Sequence, residues 1–146
     1  MTPTDSADIT PAKPHGALAV LDLAERFASF DDTWNPRVLA ELNGQQVKVA
    51  KLEGEFVWHQ HEHEDELFWV ISGELEMGVR TPQPDGSVSE GSFVLGPGQL
   101  FVVPRGVEHR PVAAQGEVEL VLFEPASTLN TGDAEDARRR DVLEKL

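Results

Sequence analysis

Between residues 38 and 124 the chain runs in short apolar stretches cut every few residues by glycine, proline or asparagine. Residues 38–42 and 47–52 flank Asn43-Gly44, the strongest short signal for a β-hairpin. Residues 56–61 and 66–72 follow, and after Gly73 the residues Leu75, Met77 and Val79 interleave with Glu76, Gly78 and Arg80. That period of two predicts a strand with one wet face. Pro82-Gln-Pro-Asp-Gly86 is a loop by its turn chemistry. Further segments near 92–95, 100–103, 109–113 and 118–124 are divided by Gly96-Pro97-Gly98, Pro104-Arg105-Gly106 and Gln115-Gly116-Glu117. About eight short strands without intervening helices predict an all-β sandwich or barrel.

Outside this block the periodicity changes. Leu23, Phe27 and Phe30 fall at helical spacing, so a short amphipathic helix is expected within residues 18–32. Residues 131–146 are expected to be helical too, with Asp133 as N-cap. There Glu135 and Arg139, Asp136 and Arg140, and Asp141 and Lys145 stand at the spacing of helix-stabilising pairs. Residues 1–16, polar and carrying Pro3, Pro11 and Pro14, read as a flexible tail. The expected layout is that tail, one β-barrel domain with an N-terminal helical flank over 17–130, and a C-terminal helical tail over 131–146.

Composition removes several classes of function. The 146 residues suit one compact domain. With no cysteine there is no disulfide, iron–sulfur cluster or thiol nucleophile. Acidic residues outnumber basic ones 26 to 12, and a net charge of −14 repels nucleic acid. The run Arg138-Arg139-Arg140 reads as a solvated helical face. No segment approaches the roughly 18 apolar residues of a membrane span, and none resembles a signal peptide. A soluble, cytoplasmic protein that binds neither nucleic acid nor membrane is expected. The glycines from Gly91 to Gly98 precede no Lys-Ser/Thr pair, so they are turn residues and not a phosphate loop. A nicotinamide enzyme is disfavoured by the absence of a Rossmann fingerprint.

The chemistry concentrates around the histidines. Three of the five lie within residues 59–63, between apolar strands on either side. His59 and His61, two apart, point to one face of a strand and can share an ion. Glu66 from the next strand offers a third ligand, and His109 follows a second Gly/Pro-rich turn. The bland alternative is a polar turn, His61-Glu-His-Glu-Asp65. Against it stands the cost of burying imidazoles and a carboxylate unless they are paired or bind a cation.

The segment from Gly54 to Gly73 resembles the first motif of the cupin superfamily, G-x5-H-x-H-x3,4-E-x6-G. His59-x-His61-x4-Glu66-x6-Gly73 fits it, and only the spacing from Gly54 is one residue short. Gly98-x5-Pro104-x-Gly106-x2-His109 is similar to the second motif, with Ala113 where the pattern has asparagine. The likeness spans residues 38–124. Beyond it, Leu23-Ala-Glu-Arg-Phe27, Trp34 and Leu129-Asn-Thr-Gly-Asp133 resemble small single-domain bacterial cupins.

The resemblance implies a double-stranded β-helix, or jelly-roll, barrel with a metal inside its mouth. It maps His59, His61, Glu66 and His109 onto a three-histidine, one-glutamate ligand set. Such a set suits one divalent transition ion (Fe, Mn, Ni, Co, Cu or Zn) and leaves room for water or substrate. The register His61-x-His63 departs from the motif, so His63 is expected at the rim, where it can orient substrate. Alternation places Val57 with His59 and His61, Phe68 and Val70 with Glu66, and Val107 and Pro111 with His109. Val57, Phe68, Val70 and Val107, with His63 at the rim, define the expected pocket for a small oxygen-rich organic molecule. Trp58, Leu67, Trp69 and Ile71 point outward, to pack against the helical flanks or a second subunit, and the Trp58/Trp69 face makes a homodimer the expected assembly. Arg105 and Arg110 are expected in surface ion pairs. The function classes are a mononuclear metalloenzyme (dioxygenase, isomerase, lyase or decarboxylase), a metal-containing binding or sensing protein, and a metal-free acid–base cupin. One fold hosts all of them.

Overall fold

The computed structural model describes residues 18–146, so the tail expected over residues 1–16 lies outside the described residues. Helix α1 (Leu23–Ala28) is shorter than the apolar periodicity suggests. Asp22 caps it by accepting the Glu25 N–H at 2.9 Å, and Ser29 ends it. Phe27 from the helix and Phe30 beyond it both pack on Val49 and Val121, against the outside of the barrel.

Seven strands follow: β1 (Arg37–Leu42), β2 (Gln45–Glu55), β3 (Glu66–Ser72), β4 (Leu75–Pro82), β5 (Val88–Leu95), β6 (Leu100–Val103) and β7 (Glu108–Pro125). All named pairings are antiparallel. Asn43 and Gly44, both at positive φ, close the β1–β2 hairpin as its sequence predicts. The two segments expected at 109–113 and 118–124 are one strand, because Gly116 at φ 116° lets β7 turn without breaking. The first part of β7 pairs with β4, and the second with β3. β2 pairs along both parts. One strand thereby belongs to two faces, as a jelly-roll barrel requires.

Alternation sorts the side chains cleanly. Glu66, Phe68 and Val70 of β3 are buried inside the barrel, whereas Leu67, Trp69 and Ile71 are not. On β2, Ala50 and Leu52 join the inner core while Val49 meets Phe27. On β7, Val118, Leu120 and Leu122 face inward and Val121 outward. Trp58 points outward as alternation predicts and is half-buried there. It lies over Gly78, where a Cβ would come within 2.9 Å of the indole, and under the Arg80 guanidinium at 3.8 Å from the ring.

The helix expected over residues 131–146 does not form; the segment is a series of turns. Its polar groups are engaged elsewhere. Asp133 accepts the Gln60 N–H at 2.9 Å instead of capping a helix. Arg138 pairs with Asp136 and Arg139 with Asp141, each at 2.8 Å and two residues away, and Lys145 reaches Glu41 at 3.5 Å. Val38 donates to the Glu144 carbonyl and Leu146 to that of Val38, so the chain end lies along β1. Helix propensity in a short segment is small beside such tertiary bonds.

Gly73 joins β3 to β4 at φ 85°, and a Cβ there would lie 2.6 Å from the Glu117 carbonyl oxygen. Both the backbone conformation and the contact oppose a side chain. Gly73→Ala is expected to cost about 2 kcal/mol or more in urea unfolding. A variant as stable as the parent would show that this turn is not constrained.

Candidate metal centre

Two turns bring the ligand residues together. The Asp65 carboxylate, just before β3, accepts the Arg105 backbone N–H at 2.9 Å and pairs with its guanidinium at 3.2 Å. Gly106, at φ 77°, donates to the His61 carbonyl at 2.8 Å. The turns preceding Glu66 and His109 are thus tied to each other. Residues 56–61, expected as a regular strand, form only an isolated bridge, His59 to His109, with backbone bonds of 3.0 and 2.8 Å. Glu55 pairs with Val112 and His59 with His109, so the His59 side holds one residue more than β7 opposite. This bulge re-aims the chain, and such irregularities concentrate beside functional sites.

His59, His61, Glu66 and His109 are all buried, and one ligand atom from each lies within 4.8 Å of the others. The imidazole hydrogen bonds fix which nitrogen faces inward. Nδ1 of His59 lies 2.9 Å from the Val57 carbonyl, and Nδ1 of His109 lies 2.9 Å from that of Val107. A carbonyl only accepts, so each Nδ1 carries the proton and each Nε2 presents a lone pair. His109 Nε2 meets Glu66 Oε1 at 3.3 Å, and His61 Nε2 stands 3.4 Å from Glu66 Oε2 without hydrogen-bond geometry. Lone pairs and a carboxylate that converge in a buried space call for a cation. The donor set fits a metal.

Ionisation reflects the same crowding. Burial, aided by neighbouring His109, pushes His59 down to about 4. Burial opposes protonation of His61 as well, but the adjacent Glu66 outweighs it and raises this imidazole. Burial also works against the Glu66 charge, yet its neighbours Glu124, His109 and His61 hold the carboxyl well below the usual carboxylate range. Glu124 moves the opposite way, pushed well above that range by burial and by Glu66.

Glu124 and Lys48 are functional candidates that the pattern of apolar residues concealed. Their side chains are each 2% exposed and pair at 2.7 Å inside the barrel. Strand alternation contains the signal: Glu124 follows Leu120 and Leu122 on the inward face of β7, and Lys48 precedes Ala50 and Leu52 on β2. Beside them lies a narrow cavity. His59, Glu66, Glu124 and Asn130 are its polar lining, and Trp34, Phe56 and Phe68 form part of its apolar wall. Trp34 sits at φ 56°, unusual for so bulky a residue, held by its indole N–H on the Glu53 carbonyl at 2.8 Å.

Of the other expected pocket residues, Phe68 lines this cavity and its ring meets His109 edge-on. Val70 is buried in the core, and Val57 and Val107 pack against it without lining the cavity. His63 lies at the surface with its side chain 81% exposed, 3.7 Å from Glu62. Arg105 and Arg110 occupy ion pairs, with Asp65 and Glu55. Ala113, in place of the motif's asparagine, is buried opposite Gly54.

Comparison with known proteins agrees with this architecture. The family model described as a cupin domain matches residues 45–125. The chain belongs to the cupin family. A cupin-2 domain containing protein from Shewanella frigidimarina is 39% identical, with a TM-score of 0.64 over 73% of this chain and 94% of that one. The protein NMB1881 from Neisseria meningitidis is 28% identical, with a TM-score of 0.61 over 74% of this cupin and all of its own chain. An uncharacterized protein, YdbB, of Bacillus subtilis is 29% identical over 100 residues, 68% of this cupin and 75% of the relative.

The lowered His59 value makes a signed prediction for the metal-free protein. An imidazole that ionises near 6.5 when unfolded and about 4 when folded stabilises the fold above 6.5. That contribution is lost as the pH falls towards 4. His61, raised by Glu66, acts in the opposite sense, contributing below its unfolded value and losing that contribution as the pH rises through the folded one. In thermal melts between pH 7 and 4, His59→Asn is expected to lose less stability than the parent. An equal or steeper loss would contradict the buried, neutral His59.

Proposed function

We propose that His59, His61, Glu66 and His109 hold one divalent first-row transition ion, and that the protein acts on a small organic molecule at that ion. The observation that carries this reading is the inward lone pair of each Nε2, fixed at His59 and His109 by backbone carbonyls. Nitrogen-rich donors with one carboxylate suit Fe, Mn, Ni, Co, Cu or Zn. When bound, such an ion polarises a ligand oxygen or activates water or dioxygen. The chain supplies the rest. Val57 and Val107 orient two imidazoles, Phe68 packs against His109, and the buried surroundings exclude bulk water. The reaction class that fits is metal-dependent oxidoreductase, isomerase or lyase chemistry.

Protein produced without a polyhistidine tag is expected to contain about one transition ion per chain by elemental analysis, because the four donors make one complete set. His61→Ala should empty the site, whereas His63→Ala should leave the content unchanged. The reverse pattern, or a chain that no first-row metal reloads, would remove the assignment.

We also propose a homodimer. The outer face of β3, β6 and β7 forms an apolar groove containing Leu67, Trp69, Leu100 and Phe123. Trp69 is 39% exposed and Leu100 58%, on the edge formed by β6. Exposed apolar sheet of this kind is usually covered. Light scattering should give twice the 16.1 kDa chain mass, falling to one chain for Trp69→Lys. A monomeric parent at micromolar concentration would refute it.

A further inference from the structure

The metal set leaves one buried polar atom without a task. Glu124 Oε1 receives the Lys48 ammonium at 2.7 Å, but Oε2 is buried with no hydrogen-bond partner. Native interiors seldom leave such an atom unsatisfied. Oε2 belongs to a side chain that is 2% exposed and lines the narrow cavity, on whose wall His59 and Glu66 also stand. The rest of that wall is largely apolar, with Trp34 and Phe56 stacked at 4.7 Å and Phe68 and Leu122 beside them.

We propose that the cavity takes a small, uncharged molecule with an apolar body and a hydroxyl group, the hydroxyl bonding to Glu124 Oε2 next to the metal set. This deepens the reading of the adjoining site as a metal centre and rests on it for the location of the chemistry. A hydroxyl both donates and accepts, so it completes Oε2 whether Glu124 is carboxyl or carboxylate. An anionic group entering the cavity meets two buried carboxyls, Glu66 and Glu124. The Lys48 ammonium offers it little, being bound to Glu124 and within 3.5 Å of the Thr128 carbonyl. No lysine or arginine is among the described residues that line the cavity. In the metal-free chain simple organic acids are therefore selected against at this end, and neutral alcohols or phenols are selected for. A purely apolar isostere is rejected as well, because it leaves Oε2 unpaired.

Three probes of similar shape separate these terms: benzyl alcohol, ethylbenzene and benzoate. Binding is measured by ligand-observed NMR on the full chain, both metal-free and loaded with diamagnetic Zn(II), with isobutanol as a smaller alcohol. The parent should bind benzyl alcohol at least tenfold more tightly than ethylbenzene in both states, and at least tenfold more tightly than benzoate when metal-free. Lys48→Met/Glu124→Met, which replaces the ion pair by apolar side chains of similar length, should invert the order of alcohol and ethylbenzene. Glu124→Gln, whose amide still donates and accepts, should keep the alcohol preference. Ethylbenzene binding as well as the alcohol, benzoate binding as well as the alcohol in the metal-free chain, or no binding of either alcohol, overturns the proposal from the parent alone. A chain that fails to hold Zn(II) yet ranks the probes as stated removes the metal reading and supports the cavity. A Zn(II)-loaded chain that ranks them otherwise does the reverse.

Discussion

Three imidazoles and one carboxylate are turned towards a single buried point, an arrangement that burial penalises unless the groups are paired or share a cation. Around this requirement the other features of the barrel mouth make sense. Nδ1 of His59 and of His109 is held by the carbonyl two residues earlier, so neither ring can turn its lone pair away without losing a bond. Glu66 meets His61 and His109 with one oxygen each, a bridging position that brings the histidines of both turns to one place. The Asp65–Arg105 pair and the Gly106 bond to His61 then fasten those turns outside the buried space.

The barrel supplies this convergence through β7. The strand begins beside His59 and β4 and finishes between β2 and β3. It carries His109 at one end and Glu124 at the other. Both ends of a single strand thus border one interior, with the metal set and the Lys48–Glu124 pair sharing the cavity's surroundings. A buried ion pair is seldom retained for stability, since apolar replacements of similar volume are often as good. Its position beside the ligand set gives it a different use, in deciding what enters.

Much of this was legible in the order of residues because strands obey a period of two. The inward set of β3 (Glu66, Phe68, Val70) and the ligand quartet follow from alternation and motif spacing. What resisted reading depends on contacts that no local pattern contains. Residues 131–146 have helical charge spacing, but Asp133 is bound to Gln60 and the last residues lie along β1. Trp58 points outward as its position suggests, but the cover it finds over Gly78 and under Arg80 comes from tertiary pairing. Lys48 and Glu124 are 76 positions apart, and only the β2–β7 register makes them neighbours. Val57 and Val107 help the site mainly through their carbonyls, a role that side-chain type does not disclose.

X-ray absorption spectroscopy of the metal-loaded protein tests the shared-ion account most directly. The account predicts a first shell of nitrogen and oxygen at about 2.0–2.2 Å, with the outer-shell scattering of three imidazole rings. A shell of oxygen alone, or one with fewer than three imidazoles, would contradict it.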